Sequence, residues 1–434
     1  MRDKLQKVCQ FFLFLFDSVE ASVTRQGAKH CSKNCERSVP RVAWIAILFI
    51  IMSAIPATNR AQTQQQTKPT GSEPVPEPAV PAILAAFDKY EVVAMPQGHG
   101  MQDLNHFILT LIRNPAFSDK VNDIEVEFGN SLYQPILDRY IAGENVPFTE
   151  VQKVWRQDGQ PTPAASAFVE QFFPLVRALN QKLPPGRRLR VLAGDPPVDW
   201  GQIKSVDDVI RLVHRDASIA SVMEKEVLSK HRKALMLFGT FHLMHGVGGS
   251  AVSLYEKDYP NVTLVVSDLG IFDTDLPTLS SSRLASWPIP SLSRAKGTWL
   301  GALDLGHFIP PAIRMDEKDC QVHNEFPKAL QKPMEELVDA FLYLGPQDLR
   351  LREKIPADIA LDVSYRAEFQ RGAAMFGFRD AASKTPQEFD QEIVKSAEDP
   401  LFAIPKMQVL DPKEVKAMVQ SCLDRKTTAN PRNN

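Results

Sequence analysis

Short apolar runs alternate with helical periodicities along most of this chain. The runs stand at Val92 to Met95, Ile124 to Phe128, Leu189 to Ala193, Ala234 to Phe238, Val262 to Val266 and Ala340 to Leu344. Between them, apolar residues recur at helical spacing over Leu104 to Ile112, Leu132 to Ile141, Ala164 to Leu183, Val206 to Leu228 and Ala251 to Asp258. Most of the short runs lack polar interruption, which suits strands buried on both faces, and their alternation with helices predicts βαβ units. The expected fold class is therefore α/β: a mainly parallel sheet flanked by helices. The helical pattern is strongest from Ala164 to Val176, where Pro174 predicts a kink. After Asp268 the pattern weakens into Pro-rich loops around Trp287 to Pro290 and helix-like stretches near Pro386 to Ala397 and Lys413 to Cys422, a helical and irregular C-terminal elaboration of the same domain.

Two of the apolar runs lead through glycine to a histidine. His99 follows Met95-Pro96-Gln97-Gly98, and His242 follows Phe238-Gly239-Thr240-Phe241. Parallel strands that end this way deliver an imidazole to the carboxyl edge of the sheet, where open α/β folds bind their ligands. Glycines flank His99 on both sides and a helix begins near Asp103, so backbone N–H groups are available there to an anion or oxyanion. Glu125 and Glu127 alternate with apolar residues and share one strand face, with Glu127 nearer the carboxyl end. A carboxylate in a buried strand requires a partner such as an imidazolium or a metal, whereas an edge strand would leave it solvated. His242 and His245 are three residues apart, and one helical turn would make them a metal-binding pair. Asp195 and Asp199 follow another strand end; either could orient an imidazole, although Asp195 before Pro196 also suits a turn.

Composition narrows the classes. The 434 residues carry 50 basic and 52 acidic side chains, a formal charge of -2, so no field exists to hold nucleic acid or an anionic membrane by charge. The chain has no Gly-x-Ser-x-Gly elbow, P-loop, dinucleotide fingerprint after the first strand, or His-Glu-x-x-His. Residues 42 to 55 form an uncharged apolar stretch preceded by Arg41 and followed by Pro56-Ala57-Thr58-Asn59-Arg60-Ala61. This has the order of a secretory signal and is short for a membrane span, which predicts export to the periplasm or beyond, with an uncleaved anchor as the alternative. Residues 1–61 are thus read as leader and signal or anchor. The Gln- and Pro-rich residues 62–81 read as a linker, and residues 82–425 as the α/β domain with its elaboration. Cys9, Cys31 and Cys35 lie in the leader, leaving Cys320 and Cys422 in the body, a number that permits one disulfide.

The order of these motifs resembles the Tiki/TraB, ChaN-like and erythromycin-esterase-like superfamily: a first strand leading to His99, a second ending at Glu127 in Val126-Glu127-Phe128-Gly129-Asn130, and a late one ending in Gly239-Thr240-Phe241-His242. The likeness covers roughly Val92 to Leu269, and Asp339 to Pro346 resembles the final strand of exported bacterial members. It implies an α/β fold with a His, Glu, His cleft, used by some members for water-mediated hydrolysis of esters or peptides and associated in others with haem uptake. There is one departure: where esterase-like members read Gly-Glu-x-His, this chain has Pro96-Gln97-Gly98-His99, without the first glycine or the acidic side chain. Three classes follow. In a hydrolase acting on a small molecule or peptide, His99 would draw a proton from water, Glu127 would orient or share its charge, and His242 would polarise the carbonyl or protonate the leaving group. In a non-catalytic binding protein, the same residues, with His245, would be candidate ligands for haem or a divalent metal. In a structural envelope protein the histidines would only be packed.

Overall fold

The structure is a computed structural model. It describes residues 71–97, 100–157, 167–204, 208, 214–269 and 283–309, and from 314 onward shorter stretches ending at 423. Its centre is an eight-stranded sheet built from β1 (Glu77–Pro78), β2 (Val92–Pro96), β3 (Asp123–Asn130), β4 (Arg190–Asp195), β5 (Ala234–Phe238), β6 (Thr263–Leu269), β7 (Ser291–Arg294) and, after the small antiparallel pair β8 (Arg314–Asp316) and β9 (Gln321–His323), β10 (Ala340–Tyr343). The spatial order is β1-β7-β10-β6-β2-β5-β3-β4. Every pairing from β10 to β4 is parallel, whereas β7 and β1 close one side antiparallel.

Each apolar run named in the sequence falls on one of the six parallel strands, which are buried on both faces almost throughout. Alternation divides the two sides. Ile124, Val126, Leu235 and Leu237 join a core that includes the helices Gln102–Arg113, Gln134–Ala142, Phe148–Arg156 and Ala167–Asn180. Met236, Phe238, Leu192 and Val265 join a second core with the helices Arg215–Val222 and Ala251–Tyr255. The helix Ala167–Asn180 runs through Pro174.

This division positions the site. The connections leaving β2 and β3 cover the first face, and those leaving β4 and β5 cover the second. Because β5 lies between β2 and β3, neighbouring strands send their chains to opposite sides and leave a crevice at the carboxyl edge.

The folded body begins earlier than position 82. Within the segment read as a linker, Glu77 and Pro78 pair with Leu292 and Ser291, a helix starts at Ala79, Ser72 bridges Thr298, and Glu73 accepts a hydrogen bond from the Trp299 indole at 2.9 Å. Proline lacks the N–H for an interior strand, yet it serves at an edge, which is where β1 lies. Cys320 and Cys422 form a disulfide, 5.8 Å apart between Cα atoms. Among the described residues no helix is long and apolar enough to cross a membrane. Residues 42 to 55, and the leader cysteines, lie outside the described residues.

Candidate functional site

Glu127 emerges where β3 outruns its neighbours. Val126 is the last β3 residue in register with β5, opposite Leu237, and the pairing with β4 shifts between Val126 and Asn130. Such an irregularity re-aims the side chains that follow it. The carboxylate is almost fully buried at 3% exposure, and a donor meets each oxygen. Oε1 accepts from Arg215 Nη2 at 2.8 Å, and Oε2 accepts from the Gly239 backbone N–H at the end of β5. A Cβ at Gly239 would stand 3.3 Å from Oε2, so the missing side chain is what allows this close approach.

His242 sits in the short helix Thr240–Leu243, its backbone N–H bonded to the Gly239 carbonyl at 3.0 Å. Nδ1 lies 2.8 Å from Asp216 Oδ1, and that same oxygen accepts from the Ala251 N–H at 2.8 Å. The acceptor fixes the proton on Nδ1 in the neutral ring and leaves Nε2 as the working nitrogen. Nε2 is buried without a hydrogen-bond partner, 3.9 Å from Glu127 Oε1. That separation is too long for a direct bond, and a third atom could bridge the pair. Burial pushes the imidazole pKa down, but the charge and hydrogen bond of Asp216, helped by Glu127 and opposed by Arg215, leave it raised above its usual 6.5.

Arg215 ties the second carboxylate, Asp195, into the cluster. Its Nε and Nη2 lie 3.0 and 2.9 Å from Asp195 Oδ1. Burial raises Asp195 to about 6 against the pull of Arg215, with Glu127 adding to the rise. The paired carboxylates outweigh burial at Arg215 and hold its guanidinium firmly charged. Adjacent residues at the start of the helix Arg215–Val222 thus do separate work, Arg215 gripping Glu127 and Asp195 while Asp216 orients His242.

The structure brings Glu127 and His242 together, while His99 lies outside the described residues; β2, which precedes it, ends at the same sheet edge as β5. His245 does not join them. The helical turn stops at Leu243 and Met244 is extended, so the histidines diverge instead of sharing a face. His245 Nδ1 meets Glu256 and its Nε2 meets Asp339, each at 2.8 Å, and although burial opposes it these two carboxylates raise its pKa to about 9. Both ring nitrogens are occupied, which removes it from the candidate ligands. Among the described residues no group of three or more His, Cys, Asp or Glu side chains could hold a metal ion.

Among the described residues, neither aspartate proposed to orient an imidazole is hydrogen-bonded to one. Asp195 faces Arg215, and Asp199 accepts the Gly201 N–H at 3.0 Å in a local turn. For a buried glutamate the sequence predicts an imidazolium or metal partner; Glu127 is bonded by Arg215 and the Gly239 N–H with the His242 imidazole 3.9 Å away, and β3 is an interior strand. Arg215 and Asp216 had gone unnoticed, because the only trace of them in the sequence is a charged pair at a helix start.

No family model matches the chain, and no curated protein does. Among solved structures it is similar to a Bacillus cereus protein, with 8% identity and a TM-score of 0.39 over 63% of this chain and 94% of that one. It is also similar to the haem-binding ChaN of Campylobacter jejuni (14%, 0.31, 44% of this chain and 87% of that one). A mutant of the erythromycin esterase EreC in its open conformation is a third (11%, 0.37, 60% and 92%). These are distant likenesses, and the chemistry of the site rests on this chain's own residues.

Proposed function

We propose that this protein is an exported hydrolase that cleaves an ester or peptide bond with water at the cleft formed by Glu127, His242 and the loop bearing His99. The observation that carries the reading is the Asp216–His242 pair, whose Nε2 is buried, unpartnered and 3.9 Å from Glu127 Oε1. An imidazole whose pKa is raised holds its proton to higher pH than a free one, which suits a general acid. In this reading His242 Nε2 gives its proton to the leaving oxygen or nitrogen as the bond to the carbonyl carbon breaks. Water supplies the new bond to that carbon, and its proton passes to His99, the role the sequence gives that residue. Glu127, held by Arg215 and the Gly239 N–H, steadies the imidazolium and accepts from the bridging atom. No residue forms a covalent intermediate.

The test is turnover by the full chain against a panel of activated esters and short peptides. His242→Ala should lower turnover by about 10²–10⁴-fold, the usual contribution of a positioned acid or base. The circular dichroism spectrum should stay close to that of the wild type, because His242 lies in a four-residue helix beyond the end of β5 and its side chain belongs to no strand of the sheet. A well-folded chain that turns over nothing yet binds a panel member would favour the non-catalytic binding protein.

A further inference from the structure

The described residues on either side of positions 98 and 99 are held by polar groups distant in sequence. Before them, the Gln97 N–H donates to the Phe238 carbonyl at 2.9 Å, next to Gly239, and the buried Gln97 side chain donates to Asn105 Oδ1 at 3.2 Å. After them, the Gly100 carbonyl accepts from the Glu353 N–H at 2.9 Å, and the Gln102 N–H donates to the Leu351 carbonyl at 3.1 Å. Glu353 joins the two ends. Its Oε2 accepts from Asn105 Nδ2 at 2.7 Å, and its Oε1 accepts from the Phe168 N–H at 2.7 Å, in the first turn of the helix Ala167–Asn180. Gln97 and Asn105 are buried and Glu353 half-buried, so the relay from Gln97 through Asn105 is formed largely away from water, where an unmade bond is costly.

The same short segment is anchored a second time. Arg350, 1% exposed, bonds both oxygens of Asp268 at 3.2 and 2.8 Å and the Leu269 carbonyl at 3.1 Å, all at the carboxyl end of β6, and lies 3.4 Å from Asp103. The Leu351 N–H donates to Asp103 Oδ2 at 2.8 Å. Residues 350, 351 and 353 therefore connect β6, the helix Gln102–Arg113, the helix Ala167–Asn180 and the turn after β2. They are far from that turn in sequence, yet they fasten to both sides of it.

We infer that Glu353 is a positioning residue for the reaction, a clasp that fixes Gln97, Gly100 and Gln102 at the sheet edge where β5 leads to His242. The inference rests on the hydrolase reading, and it acts through placement: a reacting group displaced by about 1 Å can cost roughly 10²-fold in rate.

The test compares the full chain with Glu353→Gln and Glu353→Ala by hydrogen–deuterium exchange and by turnover. Glutamine keeps the shape and one acceptor, so the variants should grade. Amides of residues 97–102 should exchange roughly tenfold faster in the alanine variant and less so in the glutamine variant, with β5 and β6 unchanged. On an active substrate, kcat should fall by about 10- to 100-fold with KM nearly constant, and the alkaline pH limb set by His242 should not move. Unchanged exchange over 97–102 would overturn the clasp, as would faster exchange with undiminished kcat. If the wild type turns over nothing, the hydrolase reading fails by itself, and local exchange still decides whether the clasp exists. An alanine variant that exchanges faster everywhere, with a glutamine variant identical to wild type, would make Glu353 a stability residue and overturn the positioning role.

Discussion

Asp216 sets how long His242 keeps its proton as pH rises. Its carboxylate favours the imidazolium and outweighs the opposite effect of burial. With the protonated ring as the acid, activity should persist above the usual His range and decline as pH passes the raised value. Asp216→Asn removes the charge that raises it, so the decline should move to lower pH, with a loss of about 10²-fold or more from the disturbed tautomer. A pH profile of kcat/KM checks both; a limb that stays in place would mean that another group titrates. Glu127 and His242 were legible in the sequence because each follows an apolar strand near glycine. Arg215 and Asp216 were not, because contacts across 88 and 26 residues depend on helix packing that local spacing does not encode.

At the scale of elements, β3 shows three treatments of one problem. Asp123, Glu125 and Glu127 share a face, and all three are buried. Asp123 is met by Arg190 and Arg232, and Glu127 by Arg215 and Gly239. Neither oxygen of Glu125 has a hydrogen-bond partner, and burial, with the nearby charge of Asp123, holds its pKa well above the ordinary value, which favours the protonated form. The sign of the linkage follows: the folded state keeps a proton that the unfolded state releases above about pH 4.5, so this group takes stability away as pH rises. Glu125→Met should therefore leave stability unchanged or raised by about 1–3 kcal/mol at pH 7, with less gain at pH 4. Chemical denaturation at the two pH values tests this, and a large loss at pH 7 would show that Glu125 has a working partner. The six parallel strands were readable because short, mostly apolar runs are what double-sided burial demands, even where Glu125, Glu127 and Arg190 interrupt them. The divergence of His242 and His245 was not, since a three-residue spacing pairs two side chains only if the helix continues.

For the whole molecule, the disulfide and the N-terminal segment make one case. Cys320 and Cys422 close a span of 102 residues across the C-terminal elaboration, and disulfides persist in oxidising compartments. We propose that the protein is exported and that its mature form begins near Gln62; N-terminal sequencing of the cell-envelope or secreted protein should find that start, and a cytoplasmic species retaining residues 1–40 would contradict it. Cys422→Ser should lower the stability of the described body by up to about 4–5 kcal/mol, the chain-entropy value for a loop of this size. Guanidinium unfolding measures it, with no change meaning that the elaboration unfolds separately from the sheet.

The central claim is that Glu127 and His242 act as one catalytic unit, and a double-mutant cycle on kcat/KM addresses it most directly. His242→Ala and Glu127→Gln should each remove about 10²-fold or more of turnover, and the double variant should lose little beyond the worse single one, because coupled groups fail together. Losses that multiply, or a double variant that still turns over substrate at the wild-type rate, would contradict the account.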